Sequence, residues 1–198
     1  MVVTPLSNAL LTGQPYHVIE LLLSCGADIN NDPVIWKTGW VSRLVRTGDV
    51  ELLELLLYYG MDPNAIADSQ WCLLGYALRY RDDICVATLL LKYRANIVLP
   101  DGTDMIWIAY YSDNSIEKIS LLLGYGSDIN TVDEHGWTML HHAACIGHVD
   151  VVRWLSDHGA KSDIRCSKGE LPVHKAIHHD GPDVMEIIGL LGGFCYIV

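Results

Sequence analysis

The residue types most suggestive of chemistry lie at 141–148, HHAACIGH. On a helix, His141 and Cys145 are four positions apart and His148 is seven from the first. All three could then share one face, as a zinc site or a histidine-activated thiol requires. Two arguments weigh against that reading. Gly147 is expected to stop the helix and carry His148 off the shared face, and a closed zinc site needs a tetrahedral ligand set. A reactive thiol needs a depressed pKa and a third orienting group, and the small apolar neighbours of Cys145 supply neither. The HHD run at 178–180 is weighed in the same way. No phosphate-cradling G-x-x-x-x-G-K-[ST] or G-x-G-x-x-G loop occurs, and no paired-carboxylate site can be placed. We expect no catalytic residue, metal or cofactor. The competing class is a metal- or thiol-dependent enzyme built around His141, Cys145 and His148.

What must position these residues is a repeat. Six segments end in a leucine-rich stretch and a small turn, among them VIELLLSCGADIN, ELLELLLYYGMDPN, KISLLLGYGSDIN and VVRWLSDHGAKSD. Their turn positions are Gly26, Gly60, Arg94, Gly126, Gly159 and Gly192, so the period stays within one residue of 33. Val149, Val152 and Leu155, with Val151 alongside, give the fifth segment one apolar helical face. A lone helix pair cannot bury such a face, so neighbours must stack. Thr138 stands where a helix cap belongs, and Ala143 and Ala144 are small enough for close helix approach. Arg94 replaces the turn glycine, so the third helix pair is expected to end by another route. In the fourth segment RANIVLPDGTDM is short and YYSDNSIEK long, which predicts a trimmed finger and a lengthened turn.

With GWTMLHHAACIG at 136–147, GELPVHKA at 169–176 and TPLSNALLTG at 4–13, the chain resembles the ankyrin repeat. The resemblance implies an all-α ankyrin-repeat solenoid: stacked helix-turn-helix units with short finger loops, in one domain over 1–198. The units fall at about 1–30, 31–64, 65–98, 99–130, 131–163 and 164–198, the first incomplete. It also implies that His141 and His174 bond locally rather than ligate. The function it implies is a non-catalytic protein-protein interaction scaffold, binding a protein or peptide partner through finger tips and the concave helix surface. Applied residue by residue, the contact positions are Val45 and Arg46 in the second unit, Trp71, Arg79 and Tyr80 in the third, and Tyr110 and Tyr111 in the fourth. The fifth contributes His135, Trp137, Cys145 and Ile146, and the sixth Lys168, His178 and His179. Trp71 and Trp137 share one slot, where each indole either meets a partner or braces the next finger. Trp107 and Trp154 are expected to pack inside. Arg43, Arg46, Arg79 and Arg81 either edge a groove for a carboxylate-bearing peptide or stand as solvated helix ends. Asn30, Asn64 and Asn130 resemble sites of the asparaginyl hydroxylase that modifies ankyrin repeats. An adaptor that delivers a client to a ubiquitin ligase or host complex is the alternative within the binding class.

Composition bounds these readings. Hydrophobic residues make up 51% of the 198, enough for a continuous core, and charged residues only 19%. The formal net charge of −11 disfavours nucleic-acid phosphates and anionic membrane as partners. Six scattered cysteines without a C-x-x-C pair suit free thiols. With no basic N-terminal start and no long apolar run, we expect an intracellular, cytoplasmic or nuclear protein without membrane insertion. The final VMEIIGLLGGFCYIV is apolar. It suggests a piece of a longer array or an end that docks on another domain, ahead of a prenylation or sheet-edge reading of CYIV.

Overall fold

The turn residues that set the period act through their backbone. In the computed structural model, which describes residues 3–68, 71–178 and 181–192, all six turn positions are left-handed: Gly26 (φ 87°), Gly60 (93°), Arg94 (67°), Gly126 (101°), Gly159 (85°) and Gly192 (71°). The expectation that Arg94 forces a different ending is therefore corrected. Its N–H bonds Leu91 O and the Ala95 N–H bonds Leu90 O, both at 2.9 Å, as Gly26 and Ala27 do to Leu23 and Leu22. The reason is room. Nothing lies within 4 Å of where a Cβ would stand on the other five residues, so a side chain at this position meets backbone strain alone.

The chain divides into two compact units, 1–125 and 126–198. The first holds α1 (Pro5–Thr12), α2 (Tyr16–Ser24), α3 (Pro33–Lys37), α4 (Trp40–Thr47), α5 (Val50–Tyr58), α6 (Leu73–Tyr80), α7 (Cys85–Lys92), α8 (Ile106–Tyr110) and α9 (Ser115–Gly124). It also holds a short antiparallel ribbon of β1 (Ile66–Asp68) and β2 (Trp71–Cys72), pairing Ile66 with Cys72 and Asp68 with Trp71. This ribbon is an addition to the all-α expectation. So is α3, which Thr38 and the left-handed Gly39 separate from α4. The second unit holds α10 (Met139–Ile146), α11 (Val149–Asp157), α12 (Pro172–Ile177) and α13 (Val184–Leu190).

Within each unit the helices pair and stack in repeat order. α6 packs on α4, α7 and α8 in the first, and α10 on α11 and α12 in the second. Small residues permit the close approach: Ala77 and Ala109 in the first unit, Ala143 and Ala176 in the second, each at most 1% exposed. On the second helices Leu56, Leu90, Leu122 and Leu155 recur in register and are fully buried. The fourth segment is irregular as expected. Val98 bridges Asp104 across a tight finger, and α8 has only five residues. Among the described residues, no helix is long and apolar enough to cross a membrane.

Candidate contact surface

In the second unit the histidine question resolves at atomic level. The Nδ1 of His141 accepts from the Thr138 N–H at 3.1 Å and lies 2.9 Å from the Thr138 hydroxyl. Its Nε2 sits 3.1 Å from Glu170 O in the next repeat. Both ring nitrogens are engaged and the ring is fully buried. Burial is the largest influence lowering its pKa from the usual 6.5, so the neutral ring is favoured. His174 repeats the local bond, accepting from the Leu171 N–H at 2.9 Å. Cys145 is half-buried, and His148 is exposed at the start of α11. Among the described residues no group of three or more His, Cys, Asp or Glu side chains is placed to hold a metal ion.

The fifth finger is organised by Asp133. Its carboxylate accepts from the N–H groups of His135 and Trp137, each at 2.8 Å, and meets His142 Nε2 at 2.8 Å. Burial pushes that carboxyl up, but the bonds from Trp137, His142 and His135 outweigh it and hold the pKa below the usual range. The Trp137 indole is half-buried. His142 lies 4.9 Å from its centroid, and the Lys175 ammonium, itself paired with Glu170, sits 4.6 Å over the ring. The sixth finger closes on the fifth: the Ser167 N–H donates to His135 O at 3.0 Å. A Cβ at Gly136 would stand 2.9 Å from the Ser167 nitrogen, and its φ of 72° is left-handed as well. Between the two fingers opens a cleft of about 280 Å³, lined by Glu134, His135, Trp137, Ser167 and Lys168. The fold thus brings together three residues singled out in the sequence, His135, Trp137 and Lys168. Ile146 (48% exposed) and His178 stand exposed at the ends of α10 and α12. His179 lies outside the described residues.

In the first unit, Arg46, Arg79, Tyr80 and Tyr111 are exposed. Two expected contacts are corrected. Val45 is fully buried on the inner face of α4. Tyr110 is 9% exposed: the single turn of α8 brings its last residue inward against Trp107 (6.1 Å) and Tyr111 (5.0 Å), and it is the next residue that reaches the surface. Trp107 is half-buried. Trp71 is also half-buried, with its ring 3.0 Å from where a Cβ on Gly75 would stand, so it lies against α6.

The exposed residues sit on a rim laced by side chains that reach backbone carbonyls one repeat away. Arg81 donates to Arg46 O (2.9 Å), Arg79 to Tyr111 O (3.3 Å), and Asn114 to Asp82 O (2.8 Å). Lys118, 1% exposed, donates to Leu78 O (2.8 Å) and to the Ser112 hydroxyl (3.1 Å). Desolvation lowers its pKa from the usual 10.5. The repeat tails are tied likewise. Asn30 donates to Gly60 O and accepts from the Asp62 N–H, and Asn64 accepts from the Asn96 N–H at 2.7 Å. In the second unit Asn130 accepts from the Lys161 N–H at 2.8 Å. Sequence reasoning missed Lys118. The available signal was its register, since it stands four residues before Leu122 and beside Ile119, both buried.

Comparison with known proteins agrees with this geometry. A family model described as ankyrin repeats (3 copies) matches residues 105–192. The chain is 37% identical over 94 residues to protein phosphatase 1 regulatory subunit 27 of Homo sapiens, covering 48% of this chain and 58% of that protein. It is 31% identical over 169 residues to glycerophosphocholine phosphodiesterase gde1 of Schizosaccharomyces pombe, covering 81% of this chain but 14% of that one. It is 26% identical over 165 residues to palmitoyltransferase ZDHHC13 of Homo sapiens, covering 82% and 25%. The chain therefore spans less than two thirds of each of these relatives. Residues 105–192 are thus matched as three ankyrin repeats, and the same helix pairs and left-handed turns recur through the described residues before them.

Proposed function

We propose that the chain is a non-catalytic protein-interaction scaffold, taking a protein or peptide partner on its finger loops and on the exposed ends of its first helices. The observation that carries this reading is the cleft between the fifth and sixth fingers. There a half-buried indole lies beside exposed polar side chains on backbone that hydrogen bonds already fix. Trp, Tyr and Arg, the types that dominate binding energy at interfaces, recur at the candidate positions Trp137, Tyr80, Tyr111 and Arg79. The relative named as a regulatory subunit of protein phosphatase 1 gives a precedent for a protein as the partner.

Site-specific photocrosslinking in source-cell extract tests it. A photoreactive residue at Tyr80 or Ile146, on the first-helix ends, is expected to capture a discrete partner band, while one at Tyr58 or Met185, exposed on second helices, is not. Equal capture from all four positions, or none from Tyr80 and Ile146, overturns the reading.

A further inference from the structure

The charge of this chain is unevenly placed. Residues 161–178, which form the sixth finger and α12, carry four Lys and Arg against two Asp and Glu, in a chain with 13 against 24. Lys168 is exposed on the wall of the cleft beside Ser167, and Arg165 lies on the same finger, bonding Gly169 O. The one carboxylate lining the cleft, Glu134, has His135 3.7 Å away. The Trp137 ring already carries the Lys175 ammonium 4.6 Å from its centroid. That ammonium is already paired with Glu170, so Lys168 is the cation a guest meets: a cationic side chain entering the cleft would be repelled by it and an anionic one drawn to it.

We infer that the cleft between the fifth and sixth fingers takes an acidic linear segment of a partner protein. Its carboxylates lie against Lys168 and the Ser167 hydroxyl, and an adjacent apolar side chain lies against Trp137. This rests on the scaffold reading and names the partner's chemistry at one of its surfaces. The segment must be narrow, because the cleft holds about 280 Å³, room for one or two side chains rather than a helix.

The test uses the full chain, isotope-labelled for NMR, and three synthetic peptides that alternate leucine with glutamate, glutamine or lysine. The glutamate peptide is expected to shift the Trp137 indole signal and the Ser167 and Lys168 amides. Its affinity should fall about fivefold in Lys168→Glu, and by a similar factor in about 0.5 M NaCl, as exposed charge pairs are screened. Lys168 is exposed, so the variant is expected to fold, and an unchanged spectrum away from the cleft checks this. Equal or tighter binding of the lysine peptide, indifference to Lys168→Glu, or shifts that map elsewhere overturns the inference. So do concentration-dependent shifts of the same signals without peptide, which would make a second copy of the chain the occupant. If the glutamate peptide fails while Tyr80 and Ile146 still capture a partner, only the acidic class falls. If the crosslinks fail too, the scaffold reading falls with it.

Discussion

The two units hold the same helix-pair architecture with different polar systems. In the second, first-helix starts are secured locally, His141 by the Thr138 N–H and His174 by the Leu171 N–H, and one ring nitrogen reaches on to Glu170 O. In the first, α6 has a cysteine as its cap, with the Gly75 N–H on the Cys72 sulfur at 3.4 Å, and α8 begins on Asp104. The first unit adds bonds at the other end of the helices, where Arg81, Arg79, Asn114 and Lys118 reach carbonyls in neighbouring repeats. Apolar register and turns build the repeat, and the polar groups that lock it can be relocated wholesale so long as each buried carbonyl finds a donor.

The largest test of this comparison is Lys118→Ala. It removes a buried aliphatic stem and strands Leu78 O, which should cost about 2–4 kcal/mol, read by denaturant unfolding and by faster exchange of α6 and α9 amides. Lys118→Met, which restores volume without a donor, should recover part of that loss. Full wild-type stability in the methionine variant would show that the lacing adds nothing beyond packing.

The corresponding change in the second unit is His141→Asn, expected to cost about 1–2 kcal/mol at neutral pH through the lost bond to Glu170 O. Here the pH dependence sharpens the contrast. The folded pKa of His141 is depressed below 6.5, so its contribution is present above 6.5 and is lost as pH falls through the depressed value. Wild-type stability should therefore decline on acidification below 6.5, and the asparagine variant should show a flatter slope. An identical slope in the two proteins would remove His141 as the cause.

The smallest effect is expected at Arg94→Gly. Relief of left-handed strain and the greater freedom of glycine in the unfolded chain oppose each other, leaving a change within about 1 kcal/mol. A loss well above that would mean that the Arg94 side chain holds the turn in some way its open surroundings do not suggest.

The sequence made the helix pairs and all six turn positions legible, because period and apolar register are local patterns. It misjudged Arg94 by treating a glycine preference as a requirement, when the space around the turn is open. Tyr110 and Val45 were misplaced because a position within the repeat says which end of a helix a residue occupies but not how an irregular helix is rotated. Lys118 escaped, and Arg81 was named without this role, because their partners are carbonyls 35 to 40 positions away, and backbone oxygens leave no trace in residue type. The bonds by which Asn30 and Asn130 tie each tail to the next repeat's turn escaped for the same reason. Of the proposed contact surface, His135, Trp137 and Lys168 could be named from the sequence as positions. Their convergence on one cleft was not, since it depends on two fingers meeting.

That meeting has a consequence for recognition. With Gly136 pressed on Ser167 and no space for even a methyl group between them, the two fingers beside Trp137 are tied together by a backbone hydrogen bond. A guest of the proposed kind would meet walls already joined by that bond. Little ordering remains to be done on the protein's side, and the discrimination falls on the shape of the guest.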